Sequence, residues 1–427
     1  MPAVALAAAE RRRVAGEEFF AREAERIARL CHRMAERFAR GGRLVAFGDG
    51  PLARSDARHV AVEFVHPVIV GKRALPALAL TAEGGPVDGQ VQLLVEPQDI
   101  ALAFGEHPKT VAALRIARER GCLTLAVAHV GAEWELVPEE DDPFVAQELV
   151  ETLYHVLWEL VHVFFEHRGL LEGRTERTVH DTGASSFLYP FLAQREDDLD
   201  AVVADVRASV LAKAAEVAAL RAQTLGEGEL PLRDAARAMR ARLDAGGRVL
   251  ALGNGGSATD AMDAVADLRA PPAGWPARAA IDLTEDPGIL TAIANDVGEE
   301  SIFSRQIIAH GRAQDTLLAF STSGGSRNVL AALVEARRRG MLTIALVGYD
   351  GGRIAAEGLA DHVIVTRSEH IPRIQEAQAS AWHVLRELVE LGAQGPPAPA
   401  ADHPPAPAAD HPLYGMVLSE IRQRRRE

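Results

Sequence analysis

Two loops and a few carboxylate, imidazole and carboxamide side chains carry the chemistry legible in this 427-residue chain. The apolar run Val249, Leu250, Ala251, Leu252 enters Gly253, Asn254, Gly255, Gly256 and Ser257, and a helical pattern follows over 258–268. Glycines at such a turn let backbone N–H groups converge at the positive end of a helix dipole, where an anion is stabilised. Ser257 adds a hydroxyl donor to the same nest. A second apolar run over 316–320 ends in Ser321, Thr322, Ser323, Gly324, Gly325 and Ser326 before another helical pattern over 329–339. One glycine-rich and one hydroxyl-rich strand-to-helix turn at the carboxyl edge of a parallel sheet suit a phosphorylated small molecule. The first of these helices also aligns Asp260, Asp263 and Asp267 at i, i+3 and i+7.

The elements that must position these residues occur twice. Arg43, Leu44, Val45, Ala46, Phe47, Gly48, Asp49, Gly50 repeats with close substitutions as Arg248, Val249, Leu250, Ala251, Leu252, Gly253, Asn254, Gly255, displaced by 205 positions. A second echo runs from Arg120, Gly121, Cys122, Leu123 to Arg339, Gly340, Met341, Leu342. A tandem duplication of one α/β unit follows. Strand–helix alternation in each copy predicts a mostly parallel sheet covered on both faces. The expected limits are a first domain over 1–166, a connector over 167–189, a second domain over 190–392, and a Pro/Ala-rich tether with a basic tail over 393–427. Long helices are expected over 5–40, burying Phe19, Phe20, Ile27, Leu30 and Met34, and over 197–225.

Composition narrows the functional classes. Sixty acidic against 46 basic residues leave a net charge of −14, which repels nucleic-acid phosphates and anionic membrane surfaces. Only two cysteines are present, Cys31 and Cys122, so neither a disulfide framework nor a cysteine metal site is expected, and a reducing cytoplasm fits. No window has the length and uncharged apolar character of a membrane span. The Pro/Ala tract that opens the tail cannot bury a core and reads as a tether. The residues beyond it, among them Tyr414, Met416, Leu418 and Ile421, form a candidate docking peptide for a protein partner.

Taken together, Gly253 to Ser257, the run Thr291, Ala292, Ile293, Ala294, Asn295, Asp296, the run Phe303, Ser304, Arg305, Gln306, the Ser321 to Ser326 loop, and Arg373, Ile374, Gln375, Glu376 resemble the sugar isomerase (SIS) domain, and within it the phosphoheptose isomerase group. The resemblance implies two flavodoxin-like αβα sandwiches, assembly into homo-oligomers with sites near subunit interfaces, and interconversion of sedoheptulose 7-phosphate with an aldose heptose phosphate. It places Asn295 and Asp296 against the sugar. It also implies a metal site, zinc in first instance, built from a His and a Glu four residues apart and a Gln and a His eight residues apart, the Glu and the late His doubling as base and acid. In the second half these positions carry Asp263, Asp267, Gln375 and His383. That set is richer in oxygen and favours a harder ion or weaker zinc binding. In the first half they carry His59, Glu63, Gln147 and His155, but there the loop Gly48, Asp49, Gly50, Pro51 has gained a carboxylate that opposes phosphate. Asp267 with His383, and in the first copy Glu63 with His155, are the expected catalytic pairs. The alternative function is a non-catalytic sugar-phosphate-binding regulatory protein on the same fold.

Overall fold

The structure is a computed structural model that describes residues 3–68, 72–166 and 198–391. The connector expected over 167–189 and the tail over 393–427 lie outside the described residues. Two compact units are present, one of residues 11–218 and one of residues 1–10 with 219–427.

In chain order the first unit holds α1 (Ala3–Ala39), β1 (Leu44–Gly48), α2 (Pro51–Val65), β2 (Ala77–Leu80), α3 (Val87–Leu94), β3 (Ile100–Phe104), α4 (Pro108–Glu119), β4 (Leu123–Ala126), β5 (Trp134–Glu135) and α5 (Pro143–Glu166). After α6 (Leu199–Glu227) the second unit holds α7 (Glu229–Asp244), β6 (Val249–Leu252), α8 (Gly256–Arg269), β7 (Ala280–Asp282), α9 (Pro287–Asp296), α10 (Ile302–His310), β8 (Thr316–Ser321), α11 (Arg327–Arg338), β9 (Leu342–Gly348), α12 (Gly352–Ala356), β10 (His362–Thr366) and α13 (Ile371–Leu391). The sheets run β2-β1-β3-β4-β5 and β10-β9-β8-β6-β7, and every pairing is parallel. Counted within its own unit, each sheet has the strand order 2-1-3-4-5 of a flavodoxin-like fold.

Alternation along the strands accounts for the layers, because successive side chains leave opposite faces. In β6, Val249 and Ala251 enter a core shared with α7, α8 and α13, whereas Leu250 and Leu252 enter the opposite core with α10 and α11. The first sheet repeats this, Leu44 and Ala46 facing α1, α2 and α5, and Val45 and Phe47 facing α3 and α4. The duplication extends to single atoms. Arg43 donates from its backbone N–H to Asp99 Oδ1 at 2.9 Å and from its guanidinium to Oδ2 at 2.7 Å, and Arg248 makes the same two bonds to Asp315 at the same two distances. Each pair locks the start of the first strand to the start of the third.

The expected helix over 5–40 is α1, and its five predicted apolar positions are all buried. Two helices distribute their residues differently from the expected domain limits. Val202, Val206 and Val210 of α6 pack in the first unit's core, and Ala5, Ala8 and Ala9 of α1 pack in the second unit's core. Position along the chain sets the expected limits, whereas the apolar stripe of each helix decides where it packs.

Candidate functional site

In the second unit the glycine loop and the hydroxyl loop leave the carboxyl ends of β6 and β8, which pair directly from Val249 with Thr316 to Leu252 with Ala319. Here the strand order reverses, so the two connections diverge and a crevice opens at their ends. Gly255 takes φ 59° to turn into α8, and the backbone N–H of Ser257 donates to the Asn254 carbonyl at 3.1 Å. Across the crevice Ser321 Oγ accepts from the Gly324 N–H at 3.1 Å and Ser323 Oγ from Gly325 at 3.2 Å. Ser326 stands at the N-terminus of α11 without capping it. The N-termini of α8 and α11 thus stand at neighbouring strand ends, as two helix dipoles that favour the same anion would.

The loops are tied together by a residue that sequence reasoning missed. Asn254 and Asn328 form a reciprocal carboxamide pair, with each Nδ2 donating to the other's Oδ1 at 2.9 and 2.8 Å. Asn328 lies in the first turn of α11, two residues beyond the last expected loop position. The hydroxyl loop is also anchored from behind, by Gln378 of α13 donating to the Ser321 carbonyl at 3.4 Å and by Ile354 N–H to the Gly324 carbonyl at 3.1 Å.

On one face of this sheet, α8 and α13 bring Asp267 and His383 together. Both are 2% exposed, and His383 Nε2 is 3.5 Å from Asp267 Oδ2. The same oxygen accepts from Trp382 Nε1–H at 2.8 Å. One turn beyond His383, the buried Arg386 guanidinium stacks 4.9 Å from the Trp275 ring centre and pairs with Glu390. Burial holds the Arg386 pKa below its usual value, opposed mainly by its bond to Glu390. Gln375 is buried on the same helix, and Asp263 is half-buried on α8. Asn295 and Asp296 are exposed at the end of α9 and bonded to each other at 2.7 Å. That helix packs on α10 and the 3₁₀ turn Glu299–Ser301, and none of its residues is buried.

The first unit is built differently at the corresponding positions. Where the other copy has an open loop, Asp49 is held by Arg54 at 3.1 Å, with His107 Nδ1 3.2 Å from its second oxygen and its own N–H donating to Thr110 Oγ1 at 3.1 Å. A carboxylate on this loop opposes an approaching phosphate by its charge. Beneath, between α2 and α5, the ligand atoms of His59, Glu151 and His155 lie within 4.8 Å of one another, all three residues buried. His155 Nε2 and His59 Nε2 face each other at 3.3 Å, Glu63 Oε1 is 3.9 Å from His59 Nε2, and Tyr154 O–H meets His59 Nδ1 at 2.8 Å. Burial, and secondarily the neighbouring His155, holds the His59 pKa well below the usual histidine range.

Glu151 was absent from the expected set, in which Gln147 stood instead. Four residues of helix span about 6 Å, so Glu151 stands one turn before His155. The E-x-x-x-H spacing was the available signal. This is the group of three or more convergent His, Cys, Asp or Glu ligands found among the described residues. The donor set of two imidazoles and a carboxylate, with a second carboxylate close by, fits a divalent transition metal. In the second half, Asp267 and His383 of the expected set meet at 3.5 Å.

Comparison with known proteins agrees with the motifs. The SIS domain family profile matches residues 214–348. Phosphoheptose isomerase of Desulfovibrio desulfuricans is 43% identical over 182 residues, covering 42% of this chain and 86% of the relative. The enzyme of the same name from Rhodospirillum rubrum is 42% identical over 173 residues, covering 39% of this chain and 88% of the relative. Among solved structures, the C-terminal domain of glucosamine-fructose-6-phosphate aminotransferase from Francisella tularensis covers 90% of this chain and 94% of its own, with a TM-score of 0.57 and 10% identity, a likeness of fold. The chain belongs to the SIS domain family, and its second half aligns with phosphoheptose isomerases along most of their length.

Proposed function

We propose that the protein is an aldose–ketose isomerase of the phosphoheptose isomerase type, with its sugar phosphate held in the second unit. The observation that supports this reading is the Asn254–Asn328 pair, which ties the glycine loop to the first turn of the helix that follows the hydroxyl loop. Ser257, Ser321, Thr322, Ser323 and Ser326, with the backbone N–H groups of Gly255 and Gly256, hold the phosphate. Asp267 and His383 serve the other end of the substrate. One removes the proton from the carbon beside the carbonyl, giving an enediolate, and the proton is returned to the neighbouring carbon as the hydroxyl proton moves between the two oxygens. Atoms balance, and no redox partner is needed.

In the first unit His59, Glu151 and His155, with Glu63 beside them, would hold a divalent ion, zinc by donor type. Bound there, the ion would act as a structural clamp between α2 and α5. Tyr154 orients His59, and burial keeps that imidazole neutral and able to ligate. Homo-oligomers form through α9, whose Ile289 is 38% exposed on a helix with no buried residue. This reading assigns the tail over 393–427 to a protein partner and the whole chain to a reducing compartment such as the cytoplasm, both cysteines being free.

The test is incubation with sedoheptulose 7-phosphate in D₂O, following the aldose product and solvent deuterium at the transferred position. Product with deuterium is expected. A ligand-induced rise in melting temperature without turnover would move the reading to a sugar-phosphate sensor.

A further inference from the structure

Among the described residues, one residue other than glycine takes a positive φ: Tyr349, at 53°. Left-handed backbone crowds the Cβ of an L residue against the following carbonyl, and for a bulky side chain the conformation is unfavourable. Tyr349 follows the last residue of β9 and is the first central residue of a turn, closed by the Gly351 N–H donating to the Gly348 carbonyl at 2.9 Å. Glycine is the undemanding choice at such a position, so a tyrosine there points to a use for its side chain. The turn stands against the hydroxyl loop. β8 and β9 pair as far as Ser321 with Val347, and two residues further along this register Tyr349 comes level with Ser323. Backbone meets backbone on both sides of Tyr349, because a Cβ on Gly348 would overlap the Thr322 carbonyl oxygen and one on Gly352 that of Ser323. The Ile354 N–H holds the Gly324 carbonyl at 3.1 Å. Tyr349 is half-buried, and its phenol bonds to no other group among the described residues.

We propose that Tyr349 is a substrate-contacting residue of the second unit: its phenol O–H donates to the phosphate held by the hydroxyl loop, and the strained turn is retained because it presents that donor. A phenol O–H makes its strongest hydrogen bonds to an ionised oxygen, and it adds to the hydroxyl donors of Ser321, Thr322 and Ser323. Glycine at this position would remove the strain and the donor together. The proposal rests on the placement of the phosphate in the second unit, and not on turnover, since it concerns binding.

Calorimetry on the full chain, with inorganic phosphate and with sedoheptulose 7-phosphate, tests this on wild type, Tyr349→Phe and Tyr349→Gly. Tyr349→Phe keeps the backbone and loses only the O–H. Its Kd for both ligands should rise about tenfold, the scale of a hydrogen bond to a charged group. Its kcat should stay within about threefold, because the phosphate is held in ground and transition states alike. Tyr349→Gly should bind as weakly as Tyr349→Phe and yet melt no lower than wild type, since relief of the left-handed strain offsets the chain entropy that glycine adds to the unfolded state. Either ligand bound by Tyr349→Phe within about twofold of wild type overturns the proposal. So does a drop in melting temperature of Tyr349→Gly that accompanies its loss of affinity, which would mark the residue as structural. Wild type that binds neither ligand refutes the phosphate site itself, and wild type that binds both without turnover refutes the isomerase reading alone.

Discussion

Replacing Gly253 by alanine probes the loop on which substrate recognition depends. A Cβ at this position would overlap the backbone carbonyl of Ser257 and lie 2.8 Å from the Ser257 Cβ, against about 3.5–4.0 Å for a relaxed carbon–carbon contact. The obstruction is backbone in the first turn of α8, so no rotamer change relieves it. The loop must shift by roughly 1 Å, and a misplacement of that size costs about 100-fold in rate, or about 2.7 kcal/mol of transition-state stabilisation. Asn254 moves with the loop, so its pair with Asn328 is also lost. We expect kcat/KM for sedoheptulose 7-phosphate to fall about 100-fold, mostly through KM because the phosphate is held in ground and transition states alike. The control is Gly325→Ala. Its Cβ would meet nothing closer than 3.9 Å on a backbone open to L residues, so its kcat/KM should stay within about threefold of wild type. Steady-state kinetics on both variants, with urea unfolding to compare stability, gives the answer. Equal losses, or no loss at Gly253, would refute the placement of the phosphate on this loop.

Other consequences are as direct. Because Asp49, Arg54 and His107 satisfy one another at the first unit's loop, calorimetry should count one sugar phosphate per chain; two would contradict the account. Glu148→Ala should destabilise the protein by about 3–5 kcal/mol in urea unfolding, since it removes a carboxylate that the fully buried Arg12 guanidinium contacts at 2.9 Å. The Cys122 thiol is pushed up to about 11 by burial and secondarily by Asp99. A raised pKa keeps it protonated below that value, so alkylation at pH 8 should run roughly two hundredfold slower than for a free thiol and rise only as pH approaches 11; fast labelling at pH 8 would contradict it.

The scaffold was legible because it is written in patterns with a short physical range. Period-two alternation in Val249 to Leu252 and its copy in Leu44 to Phe47 predicts two-faced strands, and the strand–loop–helix units at Gly253 and Ser321 imply where a crevice must open. The carboxylate in the first loop was visible as Asp49, but not its partners, because Arg54 and His107 come from different elements. Long-range side-chain contacts were the general omission. Asn328 and Trp382 carry no sequence signal of their contacts, which arise only when α11 and α13 place them against Asn254 and Asp267. Glu151 was missed because the family spacing drew attention away from the simpler point that one helical turn brings a ligand to His155. The packing of α6 was missed because its alanine-rich sequence has valines on a stripe that says what is buried but not against which core.

The most direct test of the central claim compares wild type with His383→Ala, measuring turnover of sedoheptulose 7-phosphate and its affinity by calorimetry on the same preparations. The account predicts that turnover falls about 10²- to 10⁴-fold, the range for loss of a positioned acid or base, while affinity, set by the Ser257 and Ser323 loops, stays within about threefold. Undiminished turnover in the variant would contradict it.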